Sequence, residues 1–189
     1  MISIFKINID EIDSVTFSEE YGKIRDNEKK RIDSFKNYDD KRRSLAGKIL
    51  LRNGIKKLYG IEDYCITYSE SGKPILPFCF FSISHSEKIA VCVISDNAVG
   101  VDVEKIKEVK KREHYHFFTK EESDYVNSGA EDSDFRFLEI WTRKEAYLKC
   151  FEKSFAILSE ISVLKENKGC VFFTENDGEY IISVCKKNF

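Results

Sequence analysis

The sequence of 189 residues has no apolar run long enough to cross a bilayer. Its longest lies within Ile89–Ser95, against the roughly 20 apolar residues that a spanning helix needs. The opening, Met1-Ile2-Ser3-Ile4-Phe5-Lys6, lacks a basic start, a long apolar stretch and a small-residue cleavage site, so no secretory leader is expected. There is no excess of one charge: 31 basic residues stand against 33 acidic ones, a formal net charge of −2. That excludes a uniformly basic nucleic-acid binder. The cysteines at Cys65, Cys79, Cys92, Cys150, Cys170 and Cys185 form no C-x-x-C. Widely spaced and often in apolar runs such as Val91-Cys92-Val93, they read as reduced, buried thiols of a cytoplasmic protein. A disulfide framework or zinc site is not indicated. No G-x-S-x-G elbow occurs, nor any short repeat or low-complexity linker.

What is present is the composition of a soluble globular protein, 42% hydrophobic and 34% charged. A chain of this size buries roughly 70% of its unfolded surface and needs no staples. The charge is unevenly distributed. Residues 23–57 hold 13 Lys/Arg and 5 Asp/Glu, net +8, and the remainder holds 18 and 28, net −10. The pattern leaves room for a local anion site facing an acidic remainder.

Along the chain, 1–9 alternates as an edge strand and 18–36 reads as helical. A long helix follows Asp39-Asp40 and stops at Gly60, with acid at its start and glycine at its end. Ile61–Tyr68, Phe78–Ser84, Lys88–Ser95 and Val99–Glu104 read as strands, with a turn at Ser71-Gly72-Lys73-Pro74. A short helix is expected near Lys120–Val126 and a strong one over Phe135–Phe151. Ile161–Lys165, Gly169–Thr174 and Tyr180–Lys186 complete the strands. Each half is thus a helix followed by antiparallel strands, an α+β architecture divided between 1–98 and 99–189.

Asp102 and Glu104 are two apart on a strand and share a face, with Val101 and Val103 on the other. Paired acids repel unless a cation lies between them, and hard oxygen ligands suit Mg²⁺. A solvated strand face beside Lys105 is the other reading. On the helix, Glu145 and Lys149 flank an apolar stripe one turn apart. They line a cleft or form an ordinary surface pair. Lys144 falls inside the stripe, either snorkelling or tied to the backbone of the other half. Ser84 and His85 are strand neighbours that face opposite ways, so they are not a nucleophile dyad. His114 and His116 read as surface residues. Lys29-Lys30-Arg31 and Lys41-Arg42-Arg43 flank the long helix's start, where a helix N-terminus and arginines hold phosphate. A solvated basic face is the alternative.

In order and spacing these pieces resemble the 4′-phosphopantetheinyl transferases, in particular the Sfp-like class. The resemblance is carried by Gly72-Lys73-Pro74, Phe81 through Ser86, Val99 through Lys105, Phe117 through Glu122, and Trp141 through Lys149. It implies two similar α/β halves related by a pseudo-twofold axis, each a helix on a mainly antiparallel sheet, with the cleft between them. It implies transfer of 4′-phosphopantetheine from coenzyme A to a serine of an apo acyl or peptidyl carrier protein, dependent on Mg²⁺, with release of adenosine 3′,5′-bisphosphate. Asp102, Glu104 and Glu145 match the metal carboxylates, and Lys149 a pyrophosphate contact. Ser84 and His85 match nucleotide and phosphate contacts, Lys73 and Pro74 residues around the adenine, and Arg43 and Arg31 the 3′-phosphate region. Glu122 matches a glutamate near the reacting centre, and either it or Glu145 takes the serine proton. Ser82 stands where the family has asparagine, and Glu28 where it has lysine. Residues 105–134, with Tyr115, Phe117 and Phe118, are expected to contact the carrier. The implied protein is a cytoplasmic monomer that uses neither nucleic acid nor membrane. A Mg²⁺-dependent pyrophosphate hydrolase or nucleotidyl enzyme, and a non-catalytic coenzyme A or carrier-binding module, are the rival readings.

Overall fold

A computed structural model describes residues 1–109, 114–129, 132–164 and 169–188. The first half opens with β1 (Ile2–Asn8), followed by α1 (Ser14–Gly22), α2 (Asp26–Asp33) and α3 (Tyr38–Tyr59). The polar stretch read as one helix is two. The Asn37 side chain caps α3 by accepting from Asp39 N at 2.8 Å, and Gly60 ends it at φ +68°, a left-handed conformation that favours glycine. Two short strands, β2 (Thr67–Tyr68) and β3 (Pro74–Ile75), flank the turn at Gly72. The hairpin β4 (Phe80–Ser86) and β5 (Ile89–Ser95) closes this half, with sheet order β1-β5-β4, all antiparallel.

The second half repeats that plan. It contains β6 (Val99–Lys105), α4 (Lys120–Asn127), α5 (Ser133–Phe151), β7 (Cys170–Asn176) and β8 (Tyr180–Lys187), with antiparallel order β6-β8-β7. In both halves the first strand pairs with the third and the third with the second. In both, a long helix lies between the first and second strands of the sheet. The α+β expectation of two similar halves therefore holds at the level of topology.

The two sheets pack back to back, with the long helices outside. Ala90, Cys92 and Ile94 of β5 pack with Leu45, Ala46 and Ile49 of α3. Val91 and Val93 turn the other way, onto Val99, Val101, Val103, Ile182 and Val184 of the second sheet. Each buried valine contributes about 1.5–3 kcal/mol, so this shared layer holds the two halves together. On the far face of β6, Gly100 lies against α5. A Cβ there would collide with the backbone at Ala146 O and Cys150 N. Only glycine permits this approach.

Two expected strands are not strands. From Ile61 to Ile66 the chain is irregular, its apolar side chains Ile61, Tyr64 and Ile66 packing singly on the first core, and only Thr67–Tyr68 find a partner. The stretch from Ile161 to Leu164 gives its backbone groups to side chains instead of a ladder: Ile161 O accepts from Lys144, and Val163 N donates to Glu122. Lys165 lies outside the described residues. Among the described residues no helix is long and apolar enough to cross a membrane. Five of the six cysteines are buried, and Cys65 is exposed.

Candidate active site

The site begins along one rim of the packed sheets, where β4 lies beside β6. β4 and β6 are edge strands of their sheets, and three alternate serines of β4 fasten one to the other. Ser82 Oγ accepts from Val101 N at 3.1 Å. Ser84 Oγ donates to Asp102 Oδ1 at 2.8 Å. Ser86 Oγ donates to Glu104 Oε2 at 3.0 Å and accepts from Lys105 N at 3.2 Å. Because strand side chains alternate, one face of β4 supplies all three contacts. Ser82, noted above as standing in an asparagine's place, thus satisfies a backbone donor of the other half.

Asp102 and Glu104 share a face, as their spacing requires, and that face meets α5. Lys149 Nζ lies 2.6 Å from Asp102 Oδ1, 3.0 Å from Ser84 Oγ and 3.9 Å from Glu145 Oε2. Asp102 is 3% exposed. Its Oδ2 is buried and has no hydrogen-bond partner. Burial, with repulsion from Asp102, raises the Glu104 carboxyl above its ordinary range. The same causes push Glu145 up to about 7, against the opposing pull of Lys149. Two carboxylates with raised pKa and one orphaned carboxylate oxygen describe a site short of positive charge. That donor set fits a hard divalent cation. Among the described residues no three such ligands already stand around one point; here the Lys149 ammonium supplies the counter-charge at Asp102.

A cavity of about 690 Å³, large enough for a nucleotide-sized ligand, opens beside Glu145 and Lys149, while Asp102, Glu104 and Ser84 stand behind Lys149 and do not line it. Arg31, Arg43, His85, Lys73 and Pro74 of the first half line it, with Glu145 and Lys149 of the second. Arg43 is held by Asp40 and by Glu87 O, the latter at 2.7 Å. Partial desolvation and the charges of Arg43, Lys149 and Arg31 lower the His85 pKa, which favours the neutral imidazole. Glu28 also lines the cavity, its Oε1 2.6 Å from Lys48 Nζ. The wall therefore contains a neutralised pair where the family resemblance led one to expect a lysine.

Some expected residues stand elsewhere. Glu122 is fully buried and away from the cavity. It accepts from Thr119 N at 2.7 Å, closing a capping box on α4, and from Val163 N at 2.8 Å, and it pairs with Lys144 at 2.8 Å. It has no spare oxygen facing a substrate, which tells against the role of base near the reacting centre. Lys144 is indeed tied to backbone, but to Leu158 O and Ile161 O of its own half, at 2.6 and 2.7 Å. The tie across the halves belongs to Lys73, whose Nζ donates to Lys149 O at 2.6 Å and Val99 O at 3.5 Å. Phe118 is buried, its ring centroid 5.0 Å from that of Phe137. His114 is half-buried beside Trp141, not a surface residue. Of the segment 105–134, expected to contact the carrier, 110–113 and 130–131 lie outside the described residues.

Sequence reasoning did not single out Lys48, Ser69, Ser71 or Glu152, all at or beside the cavity. The contacts that bring them to the site, Lys48 with Glu28 and both serines with Glu152, span 20 or more residues, so no local spacing marks them.

Comparison with known proteins agrees with this geometry. Residues 98–189 match the model of the 4′-phosphopantetheinyl transferase superfamily, and residues 13–97 match a 4′-phosphopantetheinyl transferase N-terminal model. The 4′-phosphopantetheinyl transferase gsp of Aneurinibacillus migulanus is 30% identical over 185 residues, covering 95% of this chain and 78% of that protein. The 4′-phosphopantetheinyl transferase Sfp of Bacillus subtilis strain 168 is 31% identical over 144 residues, covering 72% of this chain and 64% of its own length. The 4′-phosphopantetheinyl transferase HetI of a Nostoc species is 31% identical over 137 residues, 66% of this chain and 58% of that one.

Proposed function

The chain belongs to the 4′-phosphopantetheinyl transferase superfamily, and from that premise we propose that it moves 4′-phosphopantetheine from coenzyme A to a serine hydroxyl of an apo carrier protein. One observation carries the reading. Lys149, which lines the cavity together with Arg31 and Arg43, joins Ser84 of the first half to Asp102 of the second. A bisphosphorylated nucleotide with a pyrophosphate needs cationic groups at both places.

In this reading Arg43 and Arg31 take the 3′-phosphate, Lys73 and Pro74 surround the adenine, and Ser84 and His85 contact the nucleotide and its phosphates. Lys149 turns from Asp102 to the pyrophosphate. Mg²⁺ held by Asp102, Glu104 and Glu145 would neutralise pyrophosphate charge, a ligand set supported by the orphaned Asp102 Oδ2. The carrier serine oxygen bonds to the β-phosphorus as the bond to the bridging oxygen breaks, and adenosine 3′,5′-bisphosphate leaves. Glu145, whose side chain lines the cleft beside Lys149, accepts the serine proton directly or through water. Positioning and fixed charges supply most of the rate gain. Both halves complete the cleft within one chain, which supports a monomer. The buried thiols suit the cytoplasm.

Mass spectrometry of an apo carrier protein incubated with enzyme, coenzyme A and Mg²⁺ tests this, through the gain of one phosphopantetheine. Release of nucleotide without carrier would instead identify a pyrophosphate hydrolase. Coenzyme A binding with neither outcome would identify a non-catalytic module.

A further inference from the structure

α5 ends without a glycine. Glu152 occupies its C-terminal cap at φ +52°, a left-handed conformation that is unfavourable for a residue with a side chain. Such strain persists where surrounding contacts hold it in place. Here the contacts come from the other half of the molecule. Ser69 Oγ and Ser71 Oγ lie 2.7 and 2.6 Å from Glu152 Oε2, and 2.7 Å from each other. Two hydroxyl hydrogens are shared among these three short contacts. Ser69 Oγ also accepts from Lys73 N at 3.1 Å. One residue beyond Ser71 the chain turns at Gly72, φ +81°, and Lys73 Nζ reaches Lys149 O. The turn between β2 and β3 is thus fastened twice to the last turn of α5. Ser71, Lys73 and Pro74 on one side, and Glu145, Lys149 and Glu152 on the other, line the same cavity.

We propose that Glu152 is a positioning residue for coenzyme A: by holding Ser69 and Ser71 it sets the spacing between the nucleotide-side turn and the helix end that carries Lys149 and Glu145. The inference rests on the reading of this cavity as the coenzyme A site. A side chain that only ended the helix would be improved upon by glycine. A latch cannot be replaced by glycine, and the two roles separate on that point.

The test uses the full chain, with calorimetric binding of coenzyme A to the wild type measured first. Glu152→Ala and Glu152→Gly are expected to raise KM for coenzyme A about tenfold, with kcat within about twofold and KM for the carrier unchanged. Glu152→Gly is expected to melt at or above the wild-type temperature while keeping the KM defect. Glu152→Gln keeps an acceptor oxygen and is expected to restore KM to within about threefold. Failure of the wild type to bind coenzyme A sinks the site reading and the proposal with it. Wild-type binding together with unchanged KM in the Ala and Gly variants overturns the latch alone. So does a Gln variant as impaired as Ala.

Discussion

Glu122 and Lys144 form an ion pair 2.8 Å long in which neither side chain reaches solvent. The pair joins α4, α5 and the irregular segment after α5, because each partner also holds backbone groups there. Burial pulls the Lys144 pKa down while Glu122 pulls it back up. The pair explains why a lysine lies in an apolar stripe and why the glutamate of the Phe117–Glu122 motif is buried away from the cavity.

Removing one partner leaves the other buried and uncompensated. Glu122→Ala should cost about 3–5 kcal/mol of stability, read from urea unfolding midpoints. Turnover per folded molecule should change little. A stable variant with greatly reduced kcat would return Glu122 to the role of base.

Glu145 should show its environment in the pH dependence of stability. Its carboxyl is raised from 4.5 to about 7 in the folded chain by burial and by Asp102. The protonated folded form is therefore favoured at low pH, and that advantage is lost as pH rises through 7. Without added metal, Glu145→Gln should be more stable than wild type at pH 8 by about 1–3 kcal/mol, and near equal at pH 4. The same variant should lose most transfer activity. Equal stability at both pH values would contradict the assigned environment, and near-normal turnover would remove Glu145 from the chemistry.

Arg43 can be tested with a single missing phosphate. Arg43→Ala should raise KM for coenzyme A about 10- to 100-fold, the worth of a charge-assisted contact. For dephospho-coenzyme A, which lacks the 3′-phosphate, the change should stay within about threefold. Equal losses with both substrates would place Arg43 elsewhere on the ligand.

Gly100→Ala probes the contact between β6 and α5. Its Cβ would stand 2.5 Å from Cys150 N and still closer to Ala146 O. Both obstacles are backbone, so strand and helix must part, and with them Asp102 and Lys149. A loss of at least 2 kcal/mol and a tenfold or larger fall in kcat/KM are expected. Wild-type stability and activity would refute so close a packing.

The sequence by itself determined the local geometry. Period-2 alternation put Asp102 and Glu104 on one face and their valine neighbours on the other, because a strand leaves no choice. The acidic start of α3 and Gly60 bounded that helix, and the ordered motifs identified the two halves and the cleft-lining set of Arg31, Arg43, His85, Glu145 and Lys149. What only the tertiary structure decided was which distant partner each charged side chain meets. Glu122 was drawn inward by Lys144, and Ile161–Leu164 lost its strand character to side chains of α4 and α5. The tie between halves fell to Lys73 rather than Lys144, and Glu152 found two serines more than 80 residues away. Spacing along a chain orients a side chain relative to its own element; a hydrogen bond also requires the position of the second element, and that is set by how the sheets and helices pack.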